Sequence, residues 1–166
     1  MSQRTYPREQ IGDYAEKIGE FNGIYAASGK ADVRSFVEAL GGRIEISSDS
    51  ESLHISPDGT FTIFIPLSTS TKRDTFTIAH ELGHYFLHYL LPKHLDEPFA
   101  NSFNRGGSSV MERDANVFAA SLLMPREKFT EQWERSDGDE FVVAARFDVS
   151  PAAARVRASV LGLSRG

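Results

Sequence analysis

The sequence contains no cysteine. Disulfides and thiolate ligands are thereby excluded, and histidine and carboxylate remain as the strong metal ligands open to the chain. Long apolar runs are missing too: no stretch approaches the roughly 18 residues of a membrane span, and the N-terminal MSQRTYPREQIGD has no apolar core of the kind a secretory leader carries. Neither membrane insertion nor export is expected, which makes the cytoplasm the expected location. A basic excess is also absent, since 18 Lys and Arg face 23 Asp and Glu for a net charge of -5. That balance argues against broad attraction to nucleic acid or to an anionic membrane. No internal repeat or low-complexity tract occurs, so a solenoid is excluded. What remains is a chain of 166 residues with 40% hydrophobic content, enough for one domain with a sizeable core.

The most informative stretch is residues 71–90, TKRDTFTIAHELGHYFLHYL, which reads as one helix carrying His80, Glu81 and His84 in the order H-E-x-x-H. At about 100° per residue and ~1.5 Å rise, His80 and His84 lie one turn apart on nearly the same face, where two imidazoles can share one metal. Glu81 projects beside them, placed to act as general base on a water activated by that metal without being a ligand. Ala79, Leu82, Phe86 and Leu90 form an apolar stripe, so the helix can be buried while its polar edge lines a cleft. Thr71 with Asp74 three positions on fits an N-cap, and Pro92 predicts the stop.

Around that helix the periodicity is clear. Residues 8–26 and 32–40 read as amphipathic helices, the second ended by Gly41-Gly42. Residues 43–47, 53–55 and 60–65 alternate or are β-branched and aromatic, which predicts three strands with a turn at Ser56-Pro57-Asp58-Gly59. If the strand at 60–65 is an edge along the cleft, reached through the connection 66–70, an extended substrate could pair with it. Residues 91–109 lack periodicity and predict a long loop. Helices follow at 109–123 and 126–135, and residues 140–163 read as helix, turn at Asp148-Val149-Ser150, and helix.

Two histidines leave a tetrahedral site in need of a third protein ligand. His88 lies eight residues from His80, about 12 Å along a helix, too far to share one ion. His94 could serve only if its loop folds back. Glu112 on the 109–123 helix would complete a two-histidine, one-glutamate set, with Asn116 one turn on and able to hydrogen-bond a ligand from behind. Asp114 points to another side of that helix and reads as a solvated carboxylate.

At these residues the chain resembles the ImmA/IrrE family of zinc metallopeptidases. The resemblance is carried by Phe76-Thr77-Ile78-Ala79-His80-Glu81-Leu82-Gly83-His84 with His88 following. It continues in Glu112-x-x-Ala115-Asn116-x-Phe118-Ala119-Ala120-x-Leu122-Leu123-Met124-Pro125. It implies an α+β, zincin-like fold with His80, His84 and Glu112 as ligands of one Zn2+ and Glu81 as the catalytic residue. Mn2+ or another divalent ion is an alternative. It also implies a protein substrate, a helix-turn-helix repressor encoded nearby, whose cleavage releases stress-response or mobile-element genes. Asn116 and His88 are expected behind the ligands.

The expected architecture is a three-stranded antiparallel sheet packed on helices, with residues 1–136 as the metallopeptidase domain and 137–166 as a helix-turn-helix-like element packed on it. Two other readings compete. In one, the metal is structural and the C-terminal helices contact DNA through Arg155 and Arg157; residues 140–166 hold four arginines and two acids, a weak footprint for phosphate. In the other, the protein is a toxin-antitoxin component that binds its partner without cutting it. Tyr85, His88, Tyr89 and Arg113 are candidates to stabilise an oxyanion, each with a packing or surface role as the simpler account.

Overall fold

The computed structural model describes residues 6–67 and 70–163. Residues 68 and 69 of the expected 66–70 connection, and the ends 1–5 and 164–166 of the two expected segments, lie outside the described residues.

Two helices open the chain, α1 (Arg8–Phe21) and α2 (Val33–Ala39). The first presents Ile11, Gly12, Ala15 and Gly19 inward, and Asp32 caps the second by accepting from the Ser35 amide at 3.1 Å. Three strands follow, β1 (Gly42–Ile46), β2 (Glu51–Ile55) and β3 (Phe61–Ile65). Next comes the long helix α3 (Thr71–His84), extended by a π-helical segment (Tyr85–Leu90) and a short α4 (Leu91–His94). The chain then adds β4 (Ser102–Asn104), α5 (Ser109–Leu123), α6 (Arg126–Arg135), α7 (Glu140–Phe147) and α8 (Pro151–Val160).

The sheet departs from expectation in three respects. Among the described residues it has four strands, in the order β1-β3-β2-β4, and it is mixed: β1 runs parallel to β3, while β2 is antiparallel to both β3 and β4. The strand at 61–65 is therefore interior, not an edge. Its burial explains the placement, because Phe61, Ile63 and Ile65 are buried and no residue of it is fully exposed, whereas β1 leaves Arg43, Glu45 and Ile46 exposed and suits a border. The expected loop at 91–109 supplies the fourth strand. Only Phe103 of β4 is buried, so three residues carry too little pattern to be read from sequence.

The helix around the histidines also differs in detail. Ser70, not Thr71, is the N-cap, accepting from the Arg73 amide at 3.2 Å. Pro92 does not stop the helix; it sits in the first turn of α4, where its missing N–H is tolerated, and the chain turns only at Asp96 with φ 57°. The π-helical segment lies directly upstream of that proline, widening the helix by one residue per turn just beyond His84.

The helix α3 packs on β3 on one side and on α5 on the other, with Ile78, Ala79 and Leu82 fully buried between them. Approach to α5 is close because of Gly83: a methyl group there would stand 3.0 Å from both the Cα and the carbonyl oxygen of Ala115. Phe118, Leu122 and Leu123 of α5 fill the space beyond, each burial contributing about 1.5–3 kcal/mol. The tail joins the same core. Phe147 of α7 packs 5.6 Å from Phe129, and Arg157 of α8 is buried and donates to the Met124 carbonyl at 3.0 Å. The turn between α7 and α8 places Asp148 in the left-handed region with φ 57°, and Ser150 caps α8.

Candidate metal centre

Gly83 brings α5 against α3 so that Glu112 faces both histidines of the H-E-x-x-H stretch. Its two carboxylate oxygens lie 2.9 Å from His80 Nε2 and 3.0 Å from His84 Nε2. One ligand atom from each of the three residues falls within 4.8 Å of the others, so the group could hold a metal ion. His94 is exposed at the end of α4 and takes no part in this cluster.

The hydrogen bonds behind the ligands test whether a cation fits. The Asn116 amide oxygen is 2.7 Å from His80 Nδ1, so in the neutral ring that nitrogen carries the hydrogen and Nε2 presents a lone pair to the Glu112 carboxylate. Behind the second ligand, His84 Nδ1 lies 2.9 Å from His88 Nδ1. One hydrogen serves both nitrogens, and with His84 as its donor, His84 Nε2 also turns a lone pair on the carboxylate. Lone pairs facing an anion at hydrogen-bond distance are repulsive unless a positive charge lies between them. Two imidazole nitrogens and a carboxylate suit a first-row divalent ion such as zinc.

The protonation states agree. Burial, then the neighbouring His80 and His88, pushes the His84 pKa down to about 2, and burial followed by His80 pushes His88 down to about 4. Both rings are neutral near pH 7, the state that metal binding requires. His88 thus stands behind His84 and outside the cluster. The ring of Phe103 covers the other face of His84, stacked with centroids 4.9 Å apart, so this ligand is held on two sides.

Glu81 is buried at 4% exposure, and its Oε1 has no hydrogen-bond partner among the described residues. Burial raises its pKa to about 8; the Ser52 hydroxyl opposes the rise, the Glu112 charge adds to it and Arg105 opposes it. A dication at the neighbouring cluster would favour the ionised carboxylate. Such a carboxyl, buried without a full set of partners beside potential ligands, marks a functional site more readily than a structural one.

Other sequence candidates fall elsewhere. Tyr85 packs its ring 4.4 Å from Phe61, Tyr89 receives a hydrogen bond from Lys93, and exposed Arg113 pairs with Asp114 at 3.5 Å. Asp114 itself is buried, not solvated as its position on α5 suggested, and burial raises its pKa. Three residues beside the site had gone unnoticed: Ser52, Phe103 and Arg105. The Arg105 guanidinium donates to the carbonyls of Asp49, Ser47 and Phe64, pinning the end of β4 across the sheet. For Ser52 a signal existed, a small polar residue beside Leu53 where alternation fails. For Arg105 no sequence signal distinguishes a sheet clamp from a surface charge.

Residues 43–159 match the Peptidase M78 family, described as the IrrE N-terminal-like domain. The chain belongs to the ImmA/IrrE family. This places it among metallopeptidase-type proteins, and the cluster of His80, His84 and Glu112 is compatible with a metal site of that type. Among curated proteins no match is found. Among solved structures, a Mycobacterium tuberculosis transcriptional regulator is similar in fold, with a TM-score of 0.62 at 20% identity over 90% of this chain. The chain spans 47% of that protein's length. The ImmA/IrrE match runs across α7 and α8, whose inner residues share the core of the rest. No helix among the described residues is long and apolar enough to cross a membrane.

Proposed function

We propose that this ImmA/IrrE protein is a zinc-dependent endopeptidase whose substrate is a helix-turn-helix transcriptional repressor. The observation that carries the reading is the meeting of Glu112 with both histidine Nε2 atoms beside a buried Glu81, one oxygen of which has no partner among the described residues. His80, His84 and Glu112 would hold the ion. When bound, it supplies Lewis acidity, polarising the scissile carbonyl and making water a better nucleophile near neutral pH. Asn116 and His88 fix the ring orientations from behind. Glu81 accepts the water proton at its free oxygen and returns it to the leaving amine.

The substrate path has two supports. The strand β4 is a sheet edge whose Phe103 touches His84, so its outer side, not that of β3, is offered to an extended chain for main-chain pairing. Beside Glu112 and Asn116 opens a cleft of about 1280 Å³ between α1, α5 and α8, whose lining includes Val117, Ala120 and Val156. That exceeds the volume of an ordinary small-molecule pocket and suits a polypeptide. The kinship in fold with a transcriptional regulator, together with the family, favours a regulatory protein as target. Residues 1–136 serve as the catalytic unit in this reading, with 137–166 an appendage docked through Phe147 and Arg157. A protein contact by the appendage is favoured over DNA, because Arg157 is buried and Arg155 pairs with Glu140 at 3.5 Å.

The test is incubation of the zinc-loaded protein with the repressor encoded beside it, followed by mass spectrometry. Cleavage is expected, with loss in Glu81→Gln of about 10²–10⁴-fold and no change in metal content. A Glu81→Gln protein that cuts at the wild-type rate would sink the mechanism; binding of the repressor with no cleavage by the wild type would establish a regulator that captures without cutting.

A further inference from the structure

The cleft beside the candidate metal centre follows one face of α5. Glu112, Asn116, Ala120 and Met124, each four residues from the next, all line it, so it runs from the potential ligands to the C-terminal end of that helix. Glu112 and Met124 are twelve residues apart, a rise of about 18 Å. Arg157 of α8 stands at the far end, where its Nε donates to the Met124 carbonyl at 3.0 Å, and it too lines the cleft.

Arg157 is 7% exposed, and among the described residues its guanidinium forms no ion pair. The one hydrogen bond fastens α8 to α5, a task that any neutral donor could serve, and it leaves the terminal nitrogens unbonded among the described residues. A charge taken out of water without a counter-ion is costly. Burial lowers the Arg157 pKa; Glu16, which lies beyond ion-pair distance, opposes the shift and Arg126 adds to it. Glu16 is engaged elsewhere, its Oε1 accepting from the Arg126 amide at the start of α6. The exposed side chain of Arg126 lines the same cleft and reaches Asp13 only at 3.9 Å. In a chain of net charge -5, the far end of the cleft therefore gathers two guanidinium groups beside apolar Val156 and Val160.

We infer that Arg157 is a specificity-determining residue of this cleft: its guanidinium receives the carboxylate of an aspartate or glutamate side chain in the substrate, about five residues from the bond that is cut. An extended chain advances about 3.4 Å per residue, which sets that count over the distance from Glu112. The planar guanidinium fits a carboxylate in a two-pronged contact, and docking there supplies the missing counter-ion. A side chain is the source, not a chain end, because the cut bond lies inside a protein. The inference rests on the reading of this protein as an endopeptidase.

The test exposes a pool of dodecapeptides, blocked at both ends and randomised at every position, to the zinc-loaded full chain. Mass spectrometry of the products should show aspartate and glutamate favoured over asparagine and glutamine by about 10- to 100-fold at a position about five residues from the cut. Arg157→Gln, which keeps a donor for the Met124 carbonyl, should erase that preference while zinc stoichiometry and the preferences next to the cut stay as in wild type. Val156→Glu is the second variant, at an exposed position whose exchange spares the core; its carboxylate, set in the cleft, should compete for Arg157 and erase the same preference. Cleavage without an acidic preference overturns the inference. So does a preference that persists in a folded Arg157→Gln protein or, where that variant does not fold, in Val156→Glu. Retention of the same peptides by zinc-loaded Glu81→Gln protein is read in parallel. Acidic peptides retained through Arg157, with no cleavage by the wild type, count against the peptidase reading and uphold the subsite; peptides neither retained nor cut count against both.

Discussion

The two sides of the candidate site are built differently. On the helical side, α3 and α5 present His80, His84 and Glu112 from regular backbone, brought together because Gly83 has no side chain to hold them apart. On the sheet side, β2 and β4 present Ser52 and Phe103 from a bulged, three-residue edge that Arg105 clamps by its guanidinium. Helical spacing fixes ligands with local geometry, whereas the sheet positions its groups through contacts far apart in sequence. The helical side should therefore govern whether metal is bound, and the sheet side how well the bound site works.

The strongest challenge to that division is Glu112→Ala. It removes the carboxylate that meets both histidines and should abolish stoichiometric zinc binding, measured by metal analysis after gel filtration; unchanged stoichiometry would show that the third ligand lies elsewhere. Asn116→Ala comes next. Loss of the bond to His80 Nδ1 should weaken zinc affinity by about 10- to 100-fold in chelator competition while leaving stoichiometry intact. An affinity equal to wild type would mean that α3 orients His80 without help.

Gly83→Ala strikes the packing between the helices. A methyl 3.0 Å from the Ala115 backbone must push α5 outward, and the expected cost is about 1–3 kcal/mol in denaturant unfolding with a parallel loss of zinc affinity. Full stability would mean that the helices can slide apart without strain.

The smallest effect is in the pH dependence of the metal-free protein, where the buried histidines and Glu81, all on the helical side, act with opposite sign. The histidines are held neutral in the fold, so His84 (ordinary value 6.5, pushed to about 2) and His88 (to about 4) make folding less favourable as pH falls below 6.5. Glu81 is held protonated, with its pKa raised from 4.5 to about 8, so its contribution is full below 4.5 and is lost as pH rises to 8. Between 4.5 and 6.5 two histidines outweigh one carboxyl, and above 6.5 the carboxyl acts alone, so these groups place maximum stability near pH 6.5. Thermal melts across pH 5 to 9 should show the maximum, and Glu81→Gln should remove the decline above pH 6.5 and steepen the rise below it. A decline that persists in Glu81→Gln would assign it to another group.

The comparison also explains what could be read in advance. Strong 3.6-residue periodicity gave the bounds of α5 and α6 to the residue, and it set Asn116 one turn beyond Glu112 where it could bond a ligand, while only the fold made that ligand His80. The sheet was less legible. Its strands were found where alternation held, at β1, β2 and β3, but strand order follows from which strand is most apolar on both faces, and so β3 moved from expected edge to interior. The short β4 and its clamp from Arg105 left no pattern, since their bonds run to residues some 40 to 58 positions away.

By itself, the sequence determined the chemistry of the site: with no cysteine available, an H-E-x-x-H helix and a later glutamate restrict it to imidazole and carboxylate, because helical spacing is a local property that residue order sets. The tertiary structure alone decided how tightly those groups meet, through a missing side chain at Gly83. It also decided what covers His84, by seating the edge strand β4 so that Phe103 stacks on it. Both depend on the approach of distant backbone segments, which no local spacing encodes.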